Sequence, residues 1–233
     1  MDQGQTGTCH AHSAAAVAWT AYHAAGRDLP FVPSPRLIAA CTYADVRSAT
    51  AGPGMPLPPL QDNGADLSDD AASLATWGIA PMQGPTSDGR NSDVENDPED
   101  SLFPEPDPSQ LVIAGADLIV GEYQIAVDAG APRLCALSLD AGIPIWLGFF
   151  VDSAFEQAGP STVIGAPNQS DPNGGGHAVY LSAYRTAADG SYEFLLQNSW
   201  GSSWADSGAV WCSTAWLLAT WILWPFPAKA VIA

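Results

Sequence analysis

A chain of 233 residues with 25 acidic against 7 basic side chains, a formal net charge of −18, cannot replace the counterions of a nucleic-acid backbone, so nucleic-acid binding is excluded as a function class. The length is enough to bury the core of one sizeable domain, and a hydrophobic content of 47% supplies that core. No basic-then-apolar segment opens the chain, which argues against a secretory leader and for a cytoplasmic location or delivery as part of a larger chain.

The first element is a helix over residues 9–25, rich in alanine, with Thr8 placed to cap it, Gly26 to stop it, and Ala11, Ala15, Ala18, Tyr22 and Ala25 on one packed face. A lone cysteine, Cys9, stands at its head in "DQGQTGTCHAHSAAAVAW". A second helix is signalled by "SDDAASLATWG", with Ser68 as cap, Asp69 and Asp70 at the positive end of the dipole, and Gly78 as terminator. Residues 85–109 are Pro-rich and acidic with too few apolar side chains to fold alone, and read as an exposed loop. Further helices are predicted over 115–128 and 133–140.

Beyond residue 140 the pattern changes to strands: the continuous apolar run "PIWLGFFV", then "HAVYLSAY" and "YEFLLQN" joined by a hairpin turn at Asp189-Gly190. The apolar run 215–233 is long enough to raise the question of a membrane span, but Pro225, Pro227 and Lys229 interrupt it, so core strands and turns are expected there and no membrane span. Helices first and strands second indicate an α+β protein with two segregated lobes. The reading is one catalytic domain over 1–233, a helical lobe over about 1–110 and a β-rich lobe over about 111–233.

Four cysteines, Cys9, Cys41, Cys135 and Cys212, show no C-x-x-C spacing, and neither a metal site nor any cofactor is predicted. At the N-terminus of a helix, however, a thiolate is favoured by the dipole and free N–H groups, and an adjacent imidazolium adds to this. The hairpin suggests which imidazole. His177 and Asn198 lie symmetrically about a point between Ala187 and Ala188, so they should face each other or nearly so, the amide holding one ring nitrogen and leaving the other for the thiol.

These residues carry a resemblance. "QGQTGTCH" is similar to the first signature of the papain-like cysteine peptidases, glutamine-glycine-x-cysteine-glycine-serine-cysteine-tryptophan; "GGGHAVYLSAY" resembles their histidine motif, and "QNSWGSSW" their asparagine motif. "SPRLIAAC" and "DNGADLSDDAASLATWGI" look like the family's next helical segments, so the resemblance spans nearly the whole chain. It implies a papain-like two-lobed fold with the active site between the lobes, and a peptide or protein substrate. It further implies Cys9 as nucleophile in an ion pair with His177, Asn198 orienting the ring, Trp200 shielding that bond, and the Gln3 amide with the Cys9 N–H as oxyanion hole.

On the substrate side, Gly64 and Ala65 match the strand that pairs with substrate backbone, and Leu67, Gly148 and Ala178 match the main specificity pocket, which implies an apolar side chain two positions before the scissile bond. Gly174 to Gly176 are expected to make the loop before His177 mobile. The sequence departs from the family at His10 and His12, where tryptophan and phenylalanine are usual, and at the disulfide beside the nucleophile, since Thr6 and a position near Asp62 replace its cysteines; a reducing compartment follows. Gln3 lies two residues from the start, so weak anchoring of the oxyanion hole is expected unless an upstream segment orders it, and a separate inhibitory segment is a candidate partner. An acyltransferase or ligase using the same thioester, and a catalytically weak binding module, are the alternative readings.

Overall fold

The protein is described from a computed structural model, over residues 2–4, 6–27, 29, 31–52, 55–79, 81–82, 102–103, 106, 113–114 and 124–227, with backbone alone at 102–103 and 113–114. Helix α1 (Cys9–Ala24) is the centre of the molecule. It packs against helices α2 (Pro35–Thr50) and α3 (Leu67–Trp77) on one side and against the main sheet on the other. That double burial explains its composition. Ala11, Ala14, Ala15, Val17 and Ala18 are fully buried, because only small side chains let two layers approach one helix closely. The single packed face expected from sequence is therefore too narrow, and Ala25, assigned to it, is the exposed C-cap residue.

Capping follows the sequence in part. Gly26 and Gly78 end α1 and α3 at φ +68° and +100°, conformations that favour glycine. Thr8 occupies the N-cap position of α1 without capping it; its hydroxyl faces Thr6 Oγ1 at 2.6 Å and His12 Nδ1 at 3.2 Å instead. Helix α3 starts one residue before the expected cap Ser68, at Leu67 with Asp66 as N-cap, and α2 is capped by Ser34 Oγ accepting the Leu37 N–H at 3.1 Å.

Short strands β1 (Leu60–Gln61) and β2 (Gly78–Ile79) pair with β3 (Leu102–Phe103) and β4 (Ile113–Ala114) respectively. Leu102 and Phe103 belong to the segment expected to be an exposed loop, and backbone pairing to β1 corrects that for these two residues; most of 85–109 lies outside the described residues. Of the helix expected over 115–128, residues 115–123 also lie outside them, and 124–128 are not helical: Ile125 forms a β-bridge with Leu223. Helix α4 (Ala131–Asp140) is present two residues earlier than predicted.

The main sheet contains β5 (Ile145–Val151), β6 (Val163–Ile164), β7 (Gly175–Thr186), β8 (Tyr192–Gln197), β9 (Ala209–Ser213) and β10 (Ile222–Pro225), in the order β10-β5-β7-β8-β9-β6. Single turns α5 (Ser153–Glu156) and α6 (Thr214–Leu217) flank it. The apolar run from 215 is thus divided between α6 and β10, and among the described residues no helix is long and apolar enough to cross a membrane. Gly175 and Gly176 are strand residues paired to Val151 and Phe150, not a mobile loop. Gly174 is required for close approach, since a Cβ there would fall 2.3 Å from the Phe150 ring.

Two pairings position the cleft. Between β5 and β7, Gly148 faces Ala178 and Phe149 faces His177; between β10 and β5, Ile222 faces Gly148. The sheet is tied to α1 by Trp146 Nε1–H donating to Ser13 Oγ at 2.7 Å and Thr20 Oγ1–H donating to the Tyr180 hydroxyl at 3.1 Å.

Candidate active site

Cys9 opens α1, half-buried at the floor of a cleft of about 820 Å³. The backbone N–H groups of His10 and Ala178 point to its sulfur, which places the thiol beside the residue that follows His177 on β7. Burial nevertheless pushes the thiol up from its ordinary value, the two N–H groups offset this only in part, and the charges of Asp70 and Asp62 push it further up.

His177 is 7% exposed, and its Nε2–H donates to Asn198 Oδ1 at 2.7 Å. Asn198 Oδ1 also accepts the Ser199 backbone N–H at 2.8 Å, so two donors converge on this atom and it must be the oxygen; the Nδ1 side of the ring is left for the cleft. The Trp200 ring stacks on His177 at 4.9 Å and 27°, with Phe149 and Phe155 edge-on at 5.8 and 6.3 Å. In this apolar box burial lowers His177 to about 4, with the Asn198 bond opposing the shift. The same desolvation acts on both groups, raising the thiol and lowering the imidazole.

The route by which Asn198 reaches His177 differs from simple hairpin symmetry. Near the turn Thr186 faces Tyr192 and Ala183 faces Leu195; an extra residue, Ser182, then bulges from β7, so that Leu181 faces Leu196 and Tyr180 faces Gln197. Continuing that register by one residue sets Asn198 across from Val179, diagonal to His177 on the same face. Without the bulge Asn198 would fall across from Tyr180, on the other face, because a one-residue slip reverses every side chain.

Gln3 is anchored, contrary to the weak anchoring expected. Its backbone N–H donates to the Ser199 carbonyl at 2.7 Å, its Oε1 accepts the Ser199 hydroxyl, and its Nε2 donates to the Thr6 carbonyl at 2.9 Å. One Nε2–H is left, at the cleft wall. Ser199, unremarked in the sequence, therefore holds both Gln3 and Asn198. The missing disulfide has a polar replacement: Asp62 Oδ2 accepts the Gly7 N–H at 2.6 Å, and all four cysteines are free.

Gly64, Ala65, Leu67, Gly148, Ala178 and Trp200 all line the cleft with Gln3, Cys9 and His177. Sequence reasoning missed Trp221 and Ile222, which line it too; their position follows only from β10 pairing beside Gly148, and nothing in the local sequence signals it. A Cβ on Gly148 would meet Ile222 Cγ2 at 3.4 Å and Leu67 Cδ1 at 3.5 Å, so these two apolar side chains wall the space that glycine leaves open. His10 and His12 do not converge on a common point with Cys9: His10 turns to Asp70 and Tyr43, and His12 to Thr8.

No family model and no curated protein matches the sequence. Among solved structures the chain is similar to xylellain, a cysteine protease from Xylella fastidiosa, at 23% identity and TM-score 0.69, over 98% of this chain and 82% of that one. It is similar to digestive procathepsin L 3 of Tenebrio molitor larval midgut at 20% identity and TM-score 0.62, over 97% of this chain and 65% of that one. The bromelain protease of Ananas comosus, solved in complex with the E64 inhibitor, gives 16% identity and TM-score 0.64, over 97% and 92%. Mixed helices and sheet arranged around a central helix with a thiol at its head, and likeness to these three over almost the whole chain, show that the protein has the α+β papain-like fold.

Proposed function

We propose that the protein is a cysteine peptidase, acting as one catalytic domain, in which Cys9 attacks a peptide carbonyl and forms an acyl-enzyme. The observation that carries this reading is a half-buried thiol at a helix N-terminus beside the backbone of Ala178, sharing one cleft with an imidazole whose far nitrogen is fixed by Asn198. The Cys9 proton goes to His177 as the thiol is made nucleophilic, and the same proton then goes to the leaving amine. The Cys9 N–H, which has no intrahelical acceptor at the first helical position, and the remaining Gln3 Nε2–H stabilise the oxyanion. Water completes the cycle by hydrolysing the thioester. Hydrolysis of fluorogenic peptides, repeated with an added amine, tests this: free acid as the main product supports a peptidase, and an amide product in its place identifies a ligase.

Leu67, Gly148, Ala178 and Ile222 support an apolar preference two positions before the scissile bond. Peptides with Leu, Val or Phe there should be cleaved best. Gly148→Val should cut kcat/KM for the Leu and Phe peptides about tenfold or more while sparing those with Ala, since filling a pocket by a few methyl groups is worth about 1–3 kcal/mol. A preference for an acidic side chain at this position contradicts the assignment.

Asn198→Ala should be impaired yet measurably active. Loss of one hydrogen bond to a partner that becomes charged costs about 1.5–3 kcal/mol, roughly 10- to 150-fold in rate. The measurement is kcat in a folded variant. Unchanged turnover removes Asn198 from the site, and complete loss makes it more than an orienting group.

A further inference from the structure

Three carboxylates hold or flank α5, the single turn that follows β5, and two of them are already occupied. Asp152 is 5% exposed; its Oδ1 accepts the Phe155 N–H at 2.9 Å and its Oδ2 the Asn168 N–H at 2.7 Å. Asp171 Oδ2 accepts the Ser153 N–H at 2.8 Å, and its Oδ1 the Asn173 N–H at 2.9 Å. These bonds tie α5 to the 168–173 segment and fix it as a rim of the cleft. The third carboxylate is that of Glu156, the last residue of α5. Its N–H donates to the Asp152 carbonyl at 3.1 Å and its carbonyl accepts Trp204 Nε1–H at 3.2 Å, so the backbone is held. The side chain is exposed, and its carboxylate makes no hydrogen bond or ion pair to any described residue.

Strand β5 gives the cleft a scale. Gly148 and Val151 both line it, and between them Phe149 faces His177. At about 3.3 Å per residue the two lie about 10 Å apart. An extended peptide with one side chain in the space over Gly148 covers that distance in three residues, which carries it past the scissile bond to the first residue of the leaving group. Glu156 stands at that end: it follows Phe155, whose ring is edge-on to His177 at 6.3 Å and to Trp200 at 5.5 Å, and it lines the cleft with Val151 and Gly175. We propose that Glu156 is the specificity-determining residue of the leaving-group side, and that the substrate carries lysine or arginine as the first residue after the scissile bond. No lysine or arginine lines the cleft among the described residues, so nothing there competes for the Glu156 charge. At the other end Asp62 is occupied by the Gly7 N–H and the Tyr43 hydroxyl. The net charge of −18 further draws cationic peptides and repels acidic ones.

Placing Glu156 after the scissile bond rests on the peptidase reading; its contact with a cationic side chain does not. Two measurements separate them. Peptides with a leucine anchor and lysine, norleucine or glutamate three residues later are titrated into Cys9→Ala, and the same peptides are digested by the unaltered protein, with the new N-terminus read by mass spectrometry. Lysine should improve both Kd and kcat/KM about fivefold over norleucine, the upper end for an exposed ion pair, and glutamate should be the poorest. Salt at about 1 M, where the Debye length is about 3 Å, should shrink the difference. Glu156→Gln should remove the advantage of lysine over norleucine, and Glu156→Lys should reverse the order of lysine and glutamate. Equal binding and cleavage of the lysine and norleucine peptides, or a lysine preference that survives in Glu156→Gln, overturns the inference and leaves the peptidase reading standing. A Glu156-dependent preference in binding, with no hydrolysis of any peptide, overturns that reading alone.

Discussion

Cys9→Ala should abolish peptide hydrolysis while the protein keeps its helical signal and melting temperature. The substitution removes the attacking atom and puts the best helix former at the first position of α1, where the half-buried side chain only borders the core. No other thiol can take over. Cys41, Cys135 and Cys212 are buried, and burial pushes the first two up to about 12 and the third well above its ordinary value. Removing a nucleophile from a triad-type site costs up to about 10⁶ in kcat. Residual turnover within tenfold of wild type, measured on fluorogenic peptides, places the chemistry elsewhere.

His177→Ala should be nearly as damaging, because the thiol loses its proton acceptor and the leaving amine its acid. It also has a readout independent of activity. His177 stays neutral in the folded protein down to about pH 4, whereas in the unfolded chain it titrates near its ordinary value of 6.5. Between those two values the unfolded chain binds more protons, so stability is lost as pH falls through that window, by about 3 kcal/mol in all at 1.36 kcal/mol per unit. Removing the imidazole removes that contribution. Urea unfolding of His177→Ala should therefore depend less on pH between about 6.5 and 4 than the wild type does. A parallel dependence in the two proteins means that the histidine is solvated rather than boxed by Trp200, Phe149 and Phe155.

Much of this geometry was legible because it is written in local pattern. The run at 144–151 is continuously apolar since β5 is covered on both faces, and "TCHAH" reads as a helix start since a short polar stretch leads into alanines. What escaped depends on contacts distant in sequence. Ile222 joins the pocket because β10 pairs with β5, and Ser199 grips Gln3 across 196 positions, which no window along the chain reveals. The hairpin symmetry brought His177 and Asn198 together for an incomplete reason, since the Ser182 bulge that returns them to one face carries no glycine or proline to mark it. Asp70 illustrates the opposite error. Its place in the first turn of α3 suits the helix dipole, yet its carboxylate is fully buried against His10 and Thr42, a partner set visible only once α1, α2 and α3 are packed.

The central claim, that Cys9 is an activated nucleophile served by His177, is tested most directly by treating the folded protein with a thiol-directed epoxide and mapping the adduct by peptide mass spectrometry. One adduct on Cys9, none on Cys41, Cys135 or Cys212, and loss of labelling in His177→Ala is the expected result. An unlabelled Cys9, or a Cys9 adduct that forms equally fast without His177, contradicts it.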